Sequence, residues 1–245
     1  MMGVSVCSWP PSLLPRSPPS LKRFGVYSSS SPQSLCPTRE TTLSIIHNSG
    51  VIACLRANSA ELAFEAASAA LRGGISVLEI VMSTPGVFQV LQQLVQDHPT
   101  VALGVGTLLN VEDAMKAKSA GAKFLMSPAM VMGIMDVTRD GEILYIPGAM
   151  TPTEVYPVSA LGGIHFISAL KKPFPHISVL ASQGIMIDSV RDYISCGASS
   201  VVLSDAIFNK EAMAQKNFNA IYQLASLAAL QGKEAVLRKR NYNPN

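Results

Sequence analysis

Residues 50–84 read GVIACLRANSAELAFEAASAALRGGISVLEIVMST, and this stretch sets the pattern that the chain then repeats. Two short apolar runs rich in branched residues, at 51–55 and 77–82, flank an alanine-rich segment with apolar residues at helical spacing. Asn58 or Ser59 is placed to cap the start of that helix, and the glycine pair after it is placed to end it. The pattern is typical of two parallel strands joined by a crossover helix.

Further runs of the same kind predict five more strands, separated by segments of helical period. They are VALGVG at 101–106, KFLMS at 123–127, EILYIP at 142–147, ISVLAS at 177–182 and SSVVLS at 199–204. Seven strands alternating with helices over about 200 residues fit a single (β/α)8 barrel better than an open doubly wound sheet. We therefore predict an α/β protein of the TIM-barrel class.

The spacing is too short in one place for a complete barrel. Two strand–helix units occupy the 48 residues before Gly121, whereas the 76 residues from Gly121 to Gly197 have to hold four. Thr151 to Glu154 form a capping box that predicts a helix, yet an apolar segment follows at once, although a crossover needs about 10–12 residues. We expect an incomplete barrel that lacks one helix and one strand near residues 154–156.

Composition separates the first 40 residues from the rest. Residues 1–40 contain ten serines, seven of the sixteen prolines, and four basic residues against one acidic residue. This composition is typical of an organelle transit peptide, and a disordered tail without a targeting role is the alternative. We expect residues 1–40 to be disordered, residues 41–230 to form the barrel and residues 231–245 to form a C-terminal tail.

Charge and motif content exclude several classes of function. Residues 41–245 carry 15 basic and 15 acidic residues, so they offer no basic surface for nucleic acid, and no apolar run is long enough to cross a membrane. The four cysteines and four histidines lack the spacing of a metal site or a disulfide framework. No dinucleotide-binding, Walker or serine-hydrolase motif occurs, and GVGT at 104–107 is interpreted as a glycine turn only. We expect no metal and no cofactor.

Glu79 is the most informative residue for chemistry. It lies within the apolar run at 77–82, where a carboxylate is costly unless it is hydrogen-bonded or functional. In a barrel its side chain points into the lumen toward the active-site end, and burial raises the pKa of such a group toward neutrality. A general acid or base is the favoured role, and a structural carboxylate bonded to backbone is the alternative.

Other residues follow strands at the same end of the predicted barrel. Arg56 comes directly after the first strand and suits a carboxylate or phosphate, with a solvated loop arginine as the alternative. Thr107 and Pro128 end later strands and are candidates to shape a pocket. The segments at 182–184 and 203–206 stand where barrels often bind phosphate, but neither has a double glycine, so they indicate such a site only weakly.

Six motifs occur in the order typical of one enzyme family. They are GVIACLR at 50–56, GGISVLEIVMST at 73–84, GVGTLLN at 104–110, GAKFLMSPAM at 121–130, YIPGAMTPTE at 145–154 and YPVSALGG at 156–163. The chain resembles the class I aldolases that cleave 2-keto-3-deoxy-6-phosphogluconate (KDPG) and 4-hydroxy-2-oxoglutarate (KHG). The resemblance implies a (β/α)8 barrel, a homotrimer, and cleavage of a 2-oxo acid to pyruvate and an aldehyde through a Schiff base. Together with the leader, it implies a plant plastid enzyme located in the chloroplast.

The resemblance also implies roles for individual residues. Glu79 matches the family's proton-shuttling glutamate, and Arg56 matches an anion-binding arginine. Thr107, Pro128 and Tyr156 match positions that line the substrate pocket.

The chain departs from the family at the Schiff-base lysine. Family members carry that lysine two residues before an aromatic–proline pair, and here the residue two before Tyr156 is Glu154, which cannot form an imine. No Schiff-base lysine is therefore identified. Lys210 is the only candidate expected near the correct end of the barrel, because the others considered are expected at the opposite end: Lys123, Lys171 and Lys172.

The phosphate-binding positions of the family differ as well. Ser83 stands where KDPG enzymes have an arginine, Gln183 replaces the first glycine of a pair, and Ala206 replaces a serine. A 2-oxo acid without a phosphate group therefore fits better as substrate.

Three hypotheses are open for the function. The first is an aldolase-family lyase that is impaired as written, because a skipped exon or a gene-model error removed about 14–20 residues between residues 153 and 156. The second is a non-catalytic binding or regulatory barrel subunit that keeps the pocket without the lysine. The third is another phosphate-binding barrel enzyme, which the order of the motifs disfavours.

Overall fold

The computed structural model describes residues 39–148 and 162–242. The predicted transit peptide at 1–40 lies almost entirely outside the described residues. Glu154, Tyr156 and the position of the expected missing unit also lie outside them.

The described residues contain seven parallel strands, which form one sheet and coincide with the seven apolar runs of the sequence. In chain order they are β1 (Val51–Leu55), β2 (Val77–Val81), β3 (Ala102–Gly106), β4 (Phe124–Ser127), β5 (Leu144–Pro147), β6 (Leu180–Ser182) and β7 (Ser200–Leu203). Their order across the sheet is β5-β4-β3-β2-β1-β7-β6, and every pairing is parallel. The prediction of an α/β fold built on a parallel sheet is confirmed.

Helices precede, connect and follow the strands. They are α1 (Arg39–Ser49), α2 (Ala60–Arg72), α3 (Val87–Asp97), α4 (Val111–Ser119), α5 (Met132–Val137), α6 (Ile164–Lys171), α7 (Val190–Ser195), α8 (Lys210–Ala214) and α9 (Phe218–Tyr242). Ser59 and Asn110 cap α2 and α4 as predicted, since each side-chain oxygen accepts a hydrogen bond from a first-turn backbone N–H. Within the described parts of the chain, no helix has the length and apolar content needed to cross a membrane.

The strands are buried on both faces, which explains why they occur in the sequence as continuous apolar runs. Alternate residues point to the inner face of this half-barrel sheet, where they form one apolar cluster that includes Ile52, Val77, Ala102, Phe124, Leu144 and Val202. The outer face packs beneath the surrounding helices, for example against Ala66 of α2 and Leu91 of α3. This inner apolar cluster lies directly beneath the polar, carboxyl-terminal end of the lumen.

Helix α1 covers the amino-terminal end of the lumen, which is the space enclosed by the inner face of the sheet. Its Ile46 is fully buried and belongs to the same cluster as the inward-facing residues of the strands. The sequence analysis did not predict this helix, because the segment RETTLSIIHNS is largely polar and only a narrow stripe of it is apolar. The stripe is sufficient because α1 contacts the sheet along one side only.

Strands β5 and β6 are the edges of the sheet. Among the described residues, β5 pairs with β4 and β6 pairs with β7. The two edges flank the position in the chain at which the sequence predicts a missing helix and strand. That segment lies outside the described residues, so the incompleteness of the barrel stays a prediction.

Helix α9 extends beyond the boundary that the sequence analysis drew at residue 230. Residues 231–242, expected to form a C-terminal tail, continue the helix, and Ala235 and Val236 are buried. Lys239 donates a hydrogen bond to the carbonyl of Ala198, just before β7. These contacts make residues 231–242 part of the packed barrel, because α9 keeps an apolar side facing it over its whole length.

The role of α1 leads to a stability prediction. Ile46→Ala removes a fully buried side chain from the inner cluster and is expected to lower the free energy of unfolding by about 2–5 kcal/mol. Urea unfolding followed by circular dichroism measures the change. Ser44→Ala, at an exposed position of the same helix, is the control and should change the stability little. An Ile46→Ala variant as stable as the control would show that α1 does not close the lumen.

Candidate active site

A cavity of about 390 Å³ opens at the carboxyl end of the sheet. Residues at the ends of all seven strands, or directly after them, line it. The cavity therefore lies where parallel barrels place their active sites. Four of the five residues predicted from the sequence share it, namely Arg56, Glu79, Thr107 and Pro128. The fifth, Tyr156, lies outside the described residues.

Glu79 lies on the floor of the cavity, with its side chain across the neighbouring strand β3. Only 5% of the residue is exposed. Its carboxylate lies against Gly106, and a side chain at position 106 would overlap the carboxylate oxygen Oε1. The interpretation of residues 104–107 as a glycine turn is wrong in this respect, because Gly104 and Gly106 belong to β3 and Gly106 makes room for Glu79.

The environment of Glu79 sets its protonation near neutral pH. Burial raises the pKa of Glu79 to about 7, while a hydrogen bond with Cys54 and the charge of Arg56 act in the opposite direction. The expectation that burial raises this pKa is confirmed. A carboxyl group with a pKa near 7 can both accept and donate a proton under physiological conditions.

Cys54 is a cavity residue that the sequence analysis missed. It stands opposite Glu79 in the β1–β2 pairing, and its thiol interacts with Glu79 on one side and with Ser204 on the other. Burial raises the pKa of this thiol well above its usual value, with the nearby charge of Glu79 acting in the same direction. The thiol therefore stays protonated. The sequence did offer one indication of this role: Cys54 lies two residues before Arg56, on the face of β1 that points inward.

Two loop residues at the rim hold unusual backbone conformations. Thr107 has φ +60° and Gln183 has φ +79°, in the left-handed region that favours glycine. For a β-branched residue such as Thr107 this conformation is strained, and such strain is typical of functional sites. The hydrogen bond from Leu108 N to the carbonyl of Met126 holds the loop after β3 in this conformation.

A chain of hydrogen bonds shapes the loop that carries Pro128. The Val131 N–H donates to the Tyr145 hydroxyl over 3.0 Å, and Tyr145 lies 2.6 Å from the hydroxyl of Ser127. Ser127 in turn donates to the carbonyl of Ala129 over 2.6 Å, so Tyr145 must be the donor to Ser127. The sequence analysis did not find this network, because its members are separated along the chain and belong to neighbouring strands.

The lysines of the described chain do not reach the cavity. Lys123 and Lys171 donate to backbone carbonyls of loops that precede strands, at the opposite end of the sheet, as predicted. Lys210 begins α8, is exposed, and is not among the lining residues. No described residue therefore supplies an amine to the cavity.

The described residues do not form a metal site. Within residues 39–148 and 162–242, no group of three or more histidine, cysteine, aspartate or glutamate side chains is placed to hold a metal ion. The chemistry available to the described lining comes from Glu79, Cys54, Arg56, Asp205 and the neighbouring hydroxyl groups.

Comparison with known proteins identifies similar chains. A family model described as KDPG and KHG aldolase matches residues 43–224. The chain is 29% identical over 160 residues to a 2-dehydro-3-deoxy-phosphogluconate aldolase from Pseudoalteromonas atlantica, covering 58% of this chain and 74% of that protein. It is 27% identical over 183 residues to a KHG/KDPG aldolase from Escherichia coli K12, covering 67% and 86% respectively.

A solved structure shows the same architecture. The fold matches that of a KDPG aldolase from Legionella pneumophila, which was captured with pyruvate as a covalent carbinolamine intermediate. The TM-score is 0.70 at 25% sequence identity, covering 76% of this chain and 97% of the other.

The burial of Glu79 leads to a prediction about pH and stability. The pKa of Glu79 is about 7 in the folded chain and close to 4.5 when unfolded, so the folded state binds the proton more tightly. The stability that this group contributes is therefore fully present below pH 4.5 and is lost as the pH rises through 7, by about 3 kcal/mol. Urea unfolding between pH 4.5 and 8 should show this loss in the wild-type chain and not in Glu79→Gln. Glu65→Gln, at an exposed position of α2, should keep the wild-type slope, and an equal slope in Glu79→Gln would contradict the assignment.

Proposed function

The chain belongs to the family of KDPG and KHG aldolases, which are class I aldolase lyases, and we propose that it binds a 2-oxo acid over Glu79 for aldol cleavage to pyruvate and an aldehyde. One observation carries the proposal: a carboxyl group whose pKa is about 7 lies buried on the floor of a cavity whose rim holds an arginine. Both groups stand at positions that match the family.

Glu79 is suited to the proton transfers of aldol cleavage. When the bond between C3 and C4 of a 4-hydroxy-2-oxo acid breaks, the C4 hydroxyl loses a proton and becomes an aldehyde. C3 gains a proton and becomes the methyl group of pyruvate. One carboxyl group with a pKa near 7 can take the first proton and return the second, because both of its protonation states are populated.

Arg56 is suited to bind the carboxylate of the substrate. Its side chain is exposed at the rim, and no ion pair joins it to a described residue. A planar guanidinium binds a carboxylate with two parallel hydrogen bonds, which orients the substrate as well as attracting it.

The charges around the cavity favour a substrate with one anionic group. Arg56 is the only lysine or arginine among the described lining residues, whereas Asp205 adds a negative charge. Ala206 and Gln183 also line the cavity, at positions where the family binds phosphate. Among the described lining residues, a phosphate group would find no cation beyond the one that binds the carboxylate, so a non-phosphorylated 2-oxo acid fits better.

Cleavage needs an acceptor for the electron pair of the broken bond. In class I aldolases an imine formed with a lysine is that acceptor, and a free ketone is a poorer one. No described lysine lines the cavity, and Glu154 stands at the family's lysine position in the sequence. We infer that the chain with this sequence keeps substrate binding and proton transfer but is impaired in cleavage. The same observation favours a second candidate, a non-catalytic barrel subunit that binds 2-oxo acids.

Pyruvate tests the proposed binding and the proposed loss of imine formation when its binding and its covalent trapping are measured on the same protein. We expect saturation-transfer NMR to detect pyruvate on the full-length chain, and intact mass after borohydride treatment to show no reduced imine. Arg56→Gln should weaken binding at least tenfold, because a charge-assisted pair contributes about 1.5–3 kcal/mol. Arg139→Gln is the control, since Arg139 is exposed and pairs with Asp136 outside the cavity.

Each result has a defined meaning. A borohydride adduct on any lysine would overturn the proposed impairment and identify the nucleophile. Absence of pyruvate binding in a folded chain would contradict the proposed function. Binding that is unchanged in Arg56→Gln would remove Arg56 from the site.

An exposed apolar surface supports self-association. Six apolar side chains are exposed on or next to α4 and α5, which pack together: Leu109, Val111, Met115, Met130, Met132 and Met135. A cluster of exposed apolar side chains of this kind marks an interaction surface. Its Met130 lies two residues after Pro128, which lines the cavity, so a second copy bound to this surface would lie beside the cavity. We propose that this methionine-rich surface is the contact of a homotrimer.

A charged side chain introduced on this surface tests the trimer. Met132→Glu should convert the trimer to monomers in light scattering coupled to size-exclusion chromatography, because the carboxylate would be buried without a partner. Leu230→Glu, at another exposed apolar position, on α9, should leave the trimer intact. A monomeric wild-type chain, or dissociation caused only by the α9 variant, would contradict the proposal.

A further inference from the structure

Three neighbouring strands bring Ser204, Cys54 and Glu79 into one row across the cavity. Cys54 of β1 stands opposite Glu79 of β2. On the other side, Ala53 stands opposite Leu203 of β7, so the next residues along, Cys54 and Ser204, are neighbours. All three side chains line the cavity.

Interactions between side chains join the members of this row. The thiol of Cys54 interacts with the Glu79 carboxylate on one side and with the Ser204 hydroxyl on the other. A thiol and a hydroxyl each have one proton to donate, so the direction that satisfies the carboxylate runs from Ser204 to Cys54 and from Cys54 to Glu79. Beyond Glu79, Gly106 contributes no side chain. Within this row, the polar neighbour of the Glu79 carboxylate is therefore Cys54 of β1.

We propose that Cys54 is a positioning residue for Glu79, and that Ser204 orients the thiol that does the positioning. The inference deepens the proposed function and rests on Glu79 as its proton-transfer group. The glycine that makes room for Glu79 also leaves the carboxylate free to rotate, and a donor fixed on the adjacent strand restricts that rotation. The thiol is partly buried and its pKa is raised well above the usual value, so it stays protonated and can act as a donor at physiological pH.

The thiol also favours the charged form of Glu79, because it donates to the carboxylate. Without this donor, burial would raise the pKa of Glu79 further. A shift of one unit, from about 7 to about 8, would lower the ionised fraction at pH 7.5 from about three quarters to about one quarter. Glu79 would then be largely unable to accept a proton from a substrate hydroxyl.

Titration of Glu79 by NMR tests this role without requiring turnover. The full-length chain is labelled with glutamate that carries ¹³C at the carboxyl carbon, and the resonance of Glu79 is assigned by its loss in Glu79→Gln. Cys54→Ala and Cys54→Val should each raise the pKa of Glu79 by about one unit, and Cys54→Ser, which keeps a donor, should restore it. Ser204→Ala should shift it in the same direction by less. Cys196→Ala, which changes the other described cysteine at the end of α7, should leave the titration unchanged.

The outcome distinguishes this inference from the proposed function. An unchanged titration in Ser204→Ala and in whichever of the Cys54 variants folds, judged by near-ultraviolet circular dichroism, would overturn the positioning role. A shift that Cys54→Ser fails to rescue would also overturn it, because it would indicate loss of packing and not loss of the donor. Failure of pyruvate to bind would contradict the proposed function and leave these titrations readable.

Discussion

The burial of one carboxyl group in an apolar lumen is the constraint on which the rest of the site depends. An ionised carboxylate removed from water is unstable unless hydrogen bonds or opposite charges compensate it. Here the compensation is partial: burial raises the pKa of Glu79, the Cys54 thiol and the charge of Arg56 lower it, and the pKa remains at about 7. A fully compensated carboxylate would have a low pKa and would be a poor proton donor, whereas an uncompensated one would stay neutral and would be a poor acceptor.

The two ends of the lumen differ because the chain places different residues along the same strand faces. The first inward-facing positions are apolar and meet Ile46 of α1, which keeps water out from below. The later positions include Cys54 and Glu79, which line the cavity, and the glycines of β3. The dry lower layer is what makes the burial of Glu79 effective, since water entering from that end would hydrate the carboxylate and lower its pKa.

Much of the fold could be predicted from the sequence, because a strand buried on both faces has to be a continuous apolar run. All seven strands follow from this one requirement, and Glu79 was noticeable as the exception to it. Residues that act across strands could not be inferred in the same way. Gly106 matters because it has no side chain and so leaves space for the Glu79 carboxylate. This role cannot be recognised until the structure shows that Glu79 lies against it. Cys54 and the pair Ser127 and Tyr145 depend on strand register, which the apolar pattern leaves undefined.

The acid–base part of the site is independent of the segment near residues 154–156. Cys54, Glu79 and Gly106 lie on β1, β2 and β3, and Ser204 directly follows β7; these four strands are adjacent in the interior of the sheet. The edges β5 and β6 lie outside these four strands, and the proposed Schiff-base position belongs to the chain between those edges. A change in that segment can therefore remove the covalent step while the parallel ladder continues to hold Glu79. Different parts of the barrel carry out imine formation and the two other functions, which are substrate binding and proton transfer. Imine formation can therefore be lost while binding and proton transfer are kept.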